Sequence, residues 1–220
     1  MSIKFFVSRL GCAALTLLWL TAGPPAYASN APGKAPKKPS KDEVVTLTTS
    51  QGIIRLILFD DTPLHKANFL QKAKAGFYDG TTFHRVIPGF MVQGGDANTK
   101  DADPGNDGMG RPDDPTIPAE LTPPPPHNSG AVAAARLGGP AGTPSSSSQF
   151  YLVENHDGTH FLDGQYTVFG QVIQGLDVID KIAKLPRDGR DRPTTDSKMT
   201  LKVEKLKRKK IAKLYGYSYQ

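Results

Sequence analysis

The sequence predicts a mainly β domain of short strands joined by tight turns, and three observations carry that. It holds 19 Pro and 22 Gly in 220 residues, too many for a helical bundle and suited to strands punctuated by turns. Its apolar runs are short and rich in β-branched and aromatic residues, as at Val44–Thr48, Gly52–Phe59 and Gln149–Val153. The stretch Phe83–Asp96, FHRVIPGFMVQGGD, reads as two short strands hinged at Ile87-Pro88-Gly89 and closed by Gly94-Gly95. Pro88 cannot donate a ladder hydrogen bond, and the glycines take backbone angles denied to other residues.

The elements follow in order. Residues 1–28 read as a secretory signal peptide: Lys4 and Arg9 give a basic start, Leu10 to Ala22 an apolar core around Leu17, Leu18, Trp19 and Leu20, and Ala26-Tyr27-Ala28 a cleavage site. The apolar run is shorter than the roughly 20 residues a membrane span needs, so no transmembrane span is expected after cleavage. Cys12 precedes most of that core, which argues against a lipidated cysteine, and its removal leaves the mature chain without a thiol. Residues 29–43, SNAPGKAPKKPSKDE, lack the apolar content to bury anything and read as a flexible Pro/Lys linker. The formal charge of +6 lies largely in this linker and in the tail, so it says little about the domain between them.

Val44–Thr48 and Gly52–Phe59 form a hairpin around Ser50-Gln51-Gly52. Thr62 is placed to cap a helix that starts at Pro63, carries Leu64, Ala67, Phe69, Leu70 and Ala73 at helical spacing, and ends at Gly76. Residues Ala97–Asn128 are irregular; Asp101, Asp103, Asn106 and Asp107 are out of register with a calcium loop and read as an acidic surface loop. Pro123–Pro126 reads as a stiff surface connection. Gly130–Arg136 is a strand of small residues, which leave room for a substrate backbone, and Leu137–Ser147 is a Gly/Ser/Pro loop. Gln149–Val153, Thr167–Val172 and Met199–Leu206 are strands, Leu176–Lys184 is a second helix, and Lys207–Gln220 is a basic, Tyr-containing tail expected to be frayed and solvated.

Arg85, Phe90, Met91 and Gln93 bring a cation, an apolar wall and a neutral amide to one stretch. That set suits a neutral, partly apolar ligand carrying carbonyl groups, and not phosphate. His84 reads as structural, and the turn residues around His156 and His160 argue against a metal pair. No nucleophilic triad and no phosphate loop is present. Neither metal nor organic cofactor is expected, and no nucleic-acid partner.

Three further stretches join the first in a fixed order: Pro63…Asn68-Phe69 upstream, then Ser148-Gln149-Phe150-Tyr151-Leu152, then Phe161-Leu162-Asp163-Gly164-Gln165-Tyr166-Thr167-Val168-Phe169-Gly170. Together they resemble the signature of the cyclophilins, peptidyl-prolyl cis-trans isomerases, over about Val44 to Leu206. The resemblance implies a cyclophilin-like domain at 44–206: a closed antiparallel barrel of about eight strands capped by two helices. It gives Arg85 the catalytic role, donating towards the prolyl nitrogen, with Gln93 holding the substrate carbonyl and steadying the arginine. It places Phe90, Met91, Tyr151 and Leu162 around the proline ring, and Ala135, Arg136 and Gln149 along the substrate backbone. Phe161 stands where many eukaryotic members have Trp, Tyr166 where they have His, and Tyr151 where Phe is commoner. Phe161 and Tyr166 still line the substrate site on this reading. Without the indole N–H, cyclosporin binding is expected to be weak. The phenol of Tyr151 needs a partner if it lies at the pocket floor. The implied function is isomerisation of X-Pro bonds in exported, proline-containing polypeptides by a monomer that is periplasmic, secreted or surface-held. A non-catalytic proline-peptide binding module or chaperone is the alternative.

Overall fold

A computed structural model describes residues 39–121 and 125–219. The expected signal peptide, residues 29–38 of the expected linker, and Pro123 and Pro124 of the proline run lie outside the described residues.

The chain opens with a hairpin of β1 (Lys41–Thr49) and β2 (Gly52–Leu58). Strand β1 therefore begins inside the stretch read as linker. Helix α1 (Pro63–Lys74) follows, then β3 (Phe83–Ile87) and β4 (Met91–Gly94). Further on come the short β5 (Thr116–Ile117), β6 (Ala131–Ala134), the short β7 (Ser145–Ser146), β8 (Phe150–Val153) and β9 (Val168–Gln174). Helix α2 (Leu176–Ala183), β10 (Met199–Lys207) and α3 (Arg208–Tyr215) end the described chain.

Eight strands form one antiparallel sheet in the order β10-β1-β2-β9-β6-β8-β4-β3. The sheet is open, a half-barrel and not the closed barrel expected. Its two edge strands pair in no ladder among the described residues; their ends meet at a bridge between Thr82 and Lys198 and through Met199 N, which donates to Thr81 O at 2.8 Å. The reason lies in the irregular segment before β10, which lies along β3 in place of a strand. Val86 N donates to Asp191 O at 2.9 Å and Phe83 N to Ser197 O at 3.1 Å. Pro186 and Pro193 in that segment have no N–H to give a ladder.

The inner face carries the main core, with Val45, Leu47, Ile54, Leu56, Val92, Val132, Phe150 and Leu152 from the sheet. Helix α1 adds Phe69 and Leu70, and α2 adds Val178, Ile179 and Ile182. Phe69 is the hub of the aromatic packing, edge-on to Phe150 at 5.3 Å and tilted against Tyr78 at 4.9 Å. The expected cap of α1 differs: the Thr62 side chain makes no capping bond. The Glu120 carboxylate does so from a distant loop, accepting from Leu64 N and His65 N at 3.0 Å each, where a negative charge also suits the helix dipole.

The tail is not frayed. Its helix α3 is the third helix, where two were expected, and buries Ile211 against Val44 and Ile57 on the outer face of the sheet. Arg208 pins it, with a guanidinium nitrogen 2.7 Å from Asp60 and 3.3 Å from Asp42. Tyr215, Tyr217 and Tyr219 pack over the same cluster. Among the described residues, no helix is long and apolar enough to cross a membrane.

Candidate active site

Strand alternation sends every second side chain outward, and the register decides which meet. On the outer face Arg85 of β3 stands opposite Gln93 of β4. Gln93 is opposite Tyr151 of β8, and Tyr151 is opposite Ala133 of β6. Four strands thus present one row: cation, amide, phenol, methyl. The register shifts between Phe83 and Arg85. Without that bulge the two residues, two apart, would share a face; with it Phe83 enters the core while Arg85 points outward. His84 is the extra residue, buried, and its ring packs under Gly108. Burial holds its pKa below the usual imidazole range, in keeping with a structural residue.

The turn between β3 and β4 is built on Pro88 and on Gly89, whose φ of 72° is the left-handed geometry glycine allows. Phe90 N donates to Ile87 O at 3.1 Å across it. Phe90 is thereby set at one side of a pocket lined by Phe90, Met91, Ala135, Arg136, Tyr151, Leu162 and Tyr166. Behind it lies a second apolar cluster in which Ala131, Ala133 and Ala135 take up little room.

Of the eleven residues the sequence nominated, seven line this pocket. Phe161 sits at its rim, 68 % exposed and stacked on Phe90 at 5.8 Å. Arg136 lies over the Tyr166 ring at 4.3 Å and donates to Gly139 O at 2.6 Å, which ties the Gly/Ser/Pro loop to the pocket wall. Gln93 and Gln149 lie beside the pocket and bond each other, Gln93 Nε2 donating to Gln149 Oε1 at 3.0 Å. Gln149 Nε2 in turn donates to Gly108 O at 3.1 Å and to Asp96 Oδ2 at 3.3 Å. Gln93, expected to steady the arginine, is engaged with Gln149, and among the described residues the Arg85 guanidinium makes no hydrogen bond. Its donors are free for a ligand. His156 and His160 do not converge; they bond Asp180 and Asp163 separately.

Sequence reasoning missed what lies under the floor. The Tyr151 hydroxyl is 3.0 Å from Nε2 of His127, whose Nδ1 is 2.8 Å from Asp163 Oδ1. The partner required by the phenol thus comes from a lone histidine after the proline run, and no local spacing could have pointed to it. Asp96 was missed likewise. It is fully buried and orients Gln149 while accepting from Asn98 N and Gly110 N.

Comparison with known proteins agrees with this geometry. Residues 44–203 match the family described as cyclophilin type peptidyl-prolyl cis-trans isomerase/CLD. The chain belongs to the cyclophilin family of peptidyl-prolyl cis-trans isomerases. A probable peptidyl-prolyl cis-trans isomerase of Brucella suis is 36 % identical over 187 residues, covering 83 % of this chain and 87 % of that protein. Peptidyl-prolyl cis-trans isomerase A of Dickeya dadantii is 37 % identical over 183 residues, covering 80 % and 85 %. Among solved structures, a cyclophilin type isomerase of Cryptosporidium parvum, crystallised in the presence of the dipeptide Ala-Pro, superposes with a TM-score of 0.60 at 25 % identity. That match covers 73 % of this chain and 98 % of the other. The cyclophilin fold is therefore carried here by the open eight-stranded sheet, with α1 and α2 packed on its inner face.

Proposed function

We propose that this cyclophilin accelerates X-Pro rotation in exported proteins, with the proline ring in the Phe90–Tyr151–Leu162 pocket and Arg85 acting on the prolyl nitrogen. Rotation about a peptide bond costs about 18–20 kcal/mol because amide resonance must be broken. At X-Pro the two isomers differ by only about 0.5–1 kcal/mol, so both are populated and slow to exchange. A catalyst needs only to favour the twisted state, in which the nitrogen regains its lone pair and becomes a hydrogen-bond acceptor. The Arg85 guanidinium is always charged and presents a fork of donors. The single observation that carries this reading is the row on the outer face, in which Arg85 and Gln93 stand in register beside Tyr151 at the pocket floor.

Gln93 and Gln149 hold the substrate carbonyl and backbone from the polar side, and Ala135 leaves room for the chain to pass. Phe161 and Tyr166 flank the peptide. The Ala-Pro dipeptide used with the Cryptosporidium relative is the smallest form of the substrate class we assign, proline-containing polypeptides. The chain works as a monomer, without cofactor, after export to the periplasm, or to the surface or medium. Its basic, apolar start with Ala26-Tyr27-Ala28 supports that place.

A protease-coupled isomerisation assay tests the reading. Arg85→Ala is expected to lower kcat/KM by roughly 100-fold, the loss typical of one preorganised donor, at unchanged thermal stability. An active wild type unaffected by Arg85→Ala would remove the chemistry from this residue, and a folded but inactive wild type would leave a proline-peptide binding module. Cyclosporin is expected to bind weakly, and Phe161→Trp, which restores an indole donor, to tighten it. Titration of both proteins checks this, and equal affinities would dissociate Phe161 from the drug.

A further inference from the structure

Two members of the polar chain under the pocket, His127 and Asp163, play no part in the isomerisation geometry above. His127 is fully buried and lines no part of the pocket, yet its polar atoms are all engaged. Its backbone N and its Nδ1 approach the same oxygen of Asp163, at 2.7 and 2.8 Å. Its carbonyl accepts from Thr159 N at 2.8 Å. Its Nε2 lies 3.0 Å from the Tyr151 hydroxyl. An ionised carboxylate only accepts hydrogen bonds, so the proton of the neutral imidazole sits on Nδ1. Nε2 is then the acceptor, and the phenol O–H donates to it. Burial lowers the pKa of His127 against the pull of Asp163, and burial raises that of Tyr151, so both stay neutral at ordinary pH.

Asp163 directly follows Leu162, a wall of the pocket, and lies two residues beyond Phe161 at its rim. Both belong to the single 3₁₀ turn His160–Leu162. The other oxygen of Asp163 takes His160 Nδ1 at 3.0 Å, and Asp163 N closes the turn on His160 O. One buried imidazole therefore joins the floor, carried on β8, to the wall, carried on a loop. The Tyr151 ring also meets Tyr166, edge-on at 6.1 Å and covered in turn by Arg136. Tyr166 braces the ring from the pocket side and leaves the hydroxyl to His127.

We propose that His127 is a positioning residue for the prolyl pocket, fixing the Tyr151 floor and the Phe161–Leu162 wall at the spacing a proline ring requires. The proposal rests on the reading of this pocket as the prolyl site. A pocket set before the ligand arrives avoids the ordering cost of forming it, so loosening it weakens binding. Tyr151 acts here as a held wall; its raised pKa keeps it from serving as a base.

The test uses the full chain as wild type, Arg85→Ala, His127→Leu, Tyr151→Phe and the His127→Leu/Tyr151→Phe double variant. Turnover is measured by the coupled assay, and affinity for an Ala-Pro-containing tetrapeptide by NMR titration. His127→Leu is expected to weaken peptide affinity about tenfold while kcat changes little. The double variant should recover part of that loss, because neither buried polar group is then left without its partner. Nitrogen-15 spectra should show His127 protonated at Nδ1. Unchanged affinity in folded His127→Leu, losses that simply multiply in the double variant, or a proton on Nε2 would each overturn the proposal. If His127→Leu does not fold, the conservative Tyr151→Phe carries the test, and unchanged affinity there overturns it. The Arg85→Ala arm separates the two readings: it decides where the chemistry lies, and the affinity of the His127 variant decides the positioning role.

Discussion

The outer face of the sheet is used in two opposite ways. At the β10–β1–β2 side its apolar residues are sealed: Val44 and Ile57 lie under Ile211 of α3, with Tyr215, Tyr217 and Tyr219 around them. At the β6–β8–β4 side the same face is left open, because the wall residue just past β6 is the small Ala135, with Ala131 and Ala133 packed in the cluster behind it. Both halves are built from alternate residues of neighbouring strands, so the difference lies in side-chain volume and in what the chain folds back to cover. An open half-barrel has an outer face that must be hidden or put to use. This chain hides one half with its own tail and keeps the other as a pocket.

The largest expected effect comes from uncovering the sealed half. Ile211 is fully buried, and truncating a buried Ile to Ala typically costs about 2–5 kcal/mol. Ile211→Ala should lower the midpoint of chemical denaturation accordingly, while turnover per folded molecule stays at the wild-type value, since no residue of that cluster lines the pocket. A loss of turnover in the folded variant would show that the two halves are coupled, and a silent substitution would show that α3 is not the cover we describe.

How far each half could be read from sequence follows from the range of the interactions involved. The β1–β2 hairpin, α1, α2 and the β3–β4 turn rest on neighbours in the chain: Ser50-Gln51-Gly52, Pro63 at a helix start, Gly175 before another, Pro88-Gly89 at a hinge. The pocket residues were accessible because the signature segments keep their order, though only the register places Arg85, Gln93 and Tyr151 in one row. The tail helix was not legible, because the spacing of Ile211 and Tyr215 means little until Val44 and Ile57 are known to need a cover. The open edge was not legible either, since it depends on an irregular segment lying along β3. Glu120 at the start of α1 and His127 beneath Tyr151 act 55 and 24 residues away from their partners, and a single polar residue at such a distance leaves no periodic trace.

The smaller effect is expected from closing the open half. Ala135 borders the pocket just past β6 and is among the small residues that keep it clear. Ala135→Leu adds three carbons on the pocket side, where there is space to receive them, so the strain of about 1–3 kcal/mol usual for overfilling a packed core should be largely avoided. The branched side chain instead occupies volume meant for substrate beside Tyr151 and Leu162. We expect kcat/KM for an X-Pro peptide to fall about tenfold, equivalent to about 1.4 kcal/mol of transition-state binding, through a higher KM and with a melting temperature near that of wild type. Steady-state kinetics and thermal melts on the same preparation check both parts. Full activity would mean that the peptide passes elsewhere on this face. A large fall in stability would mean that this half is packed as tightly as the half beneath α3, and that the contrast between them lies in the cover alone.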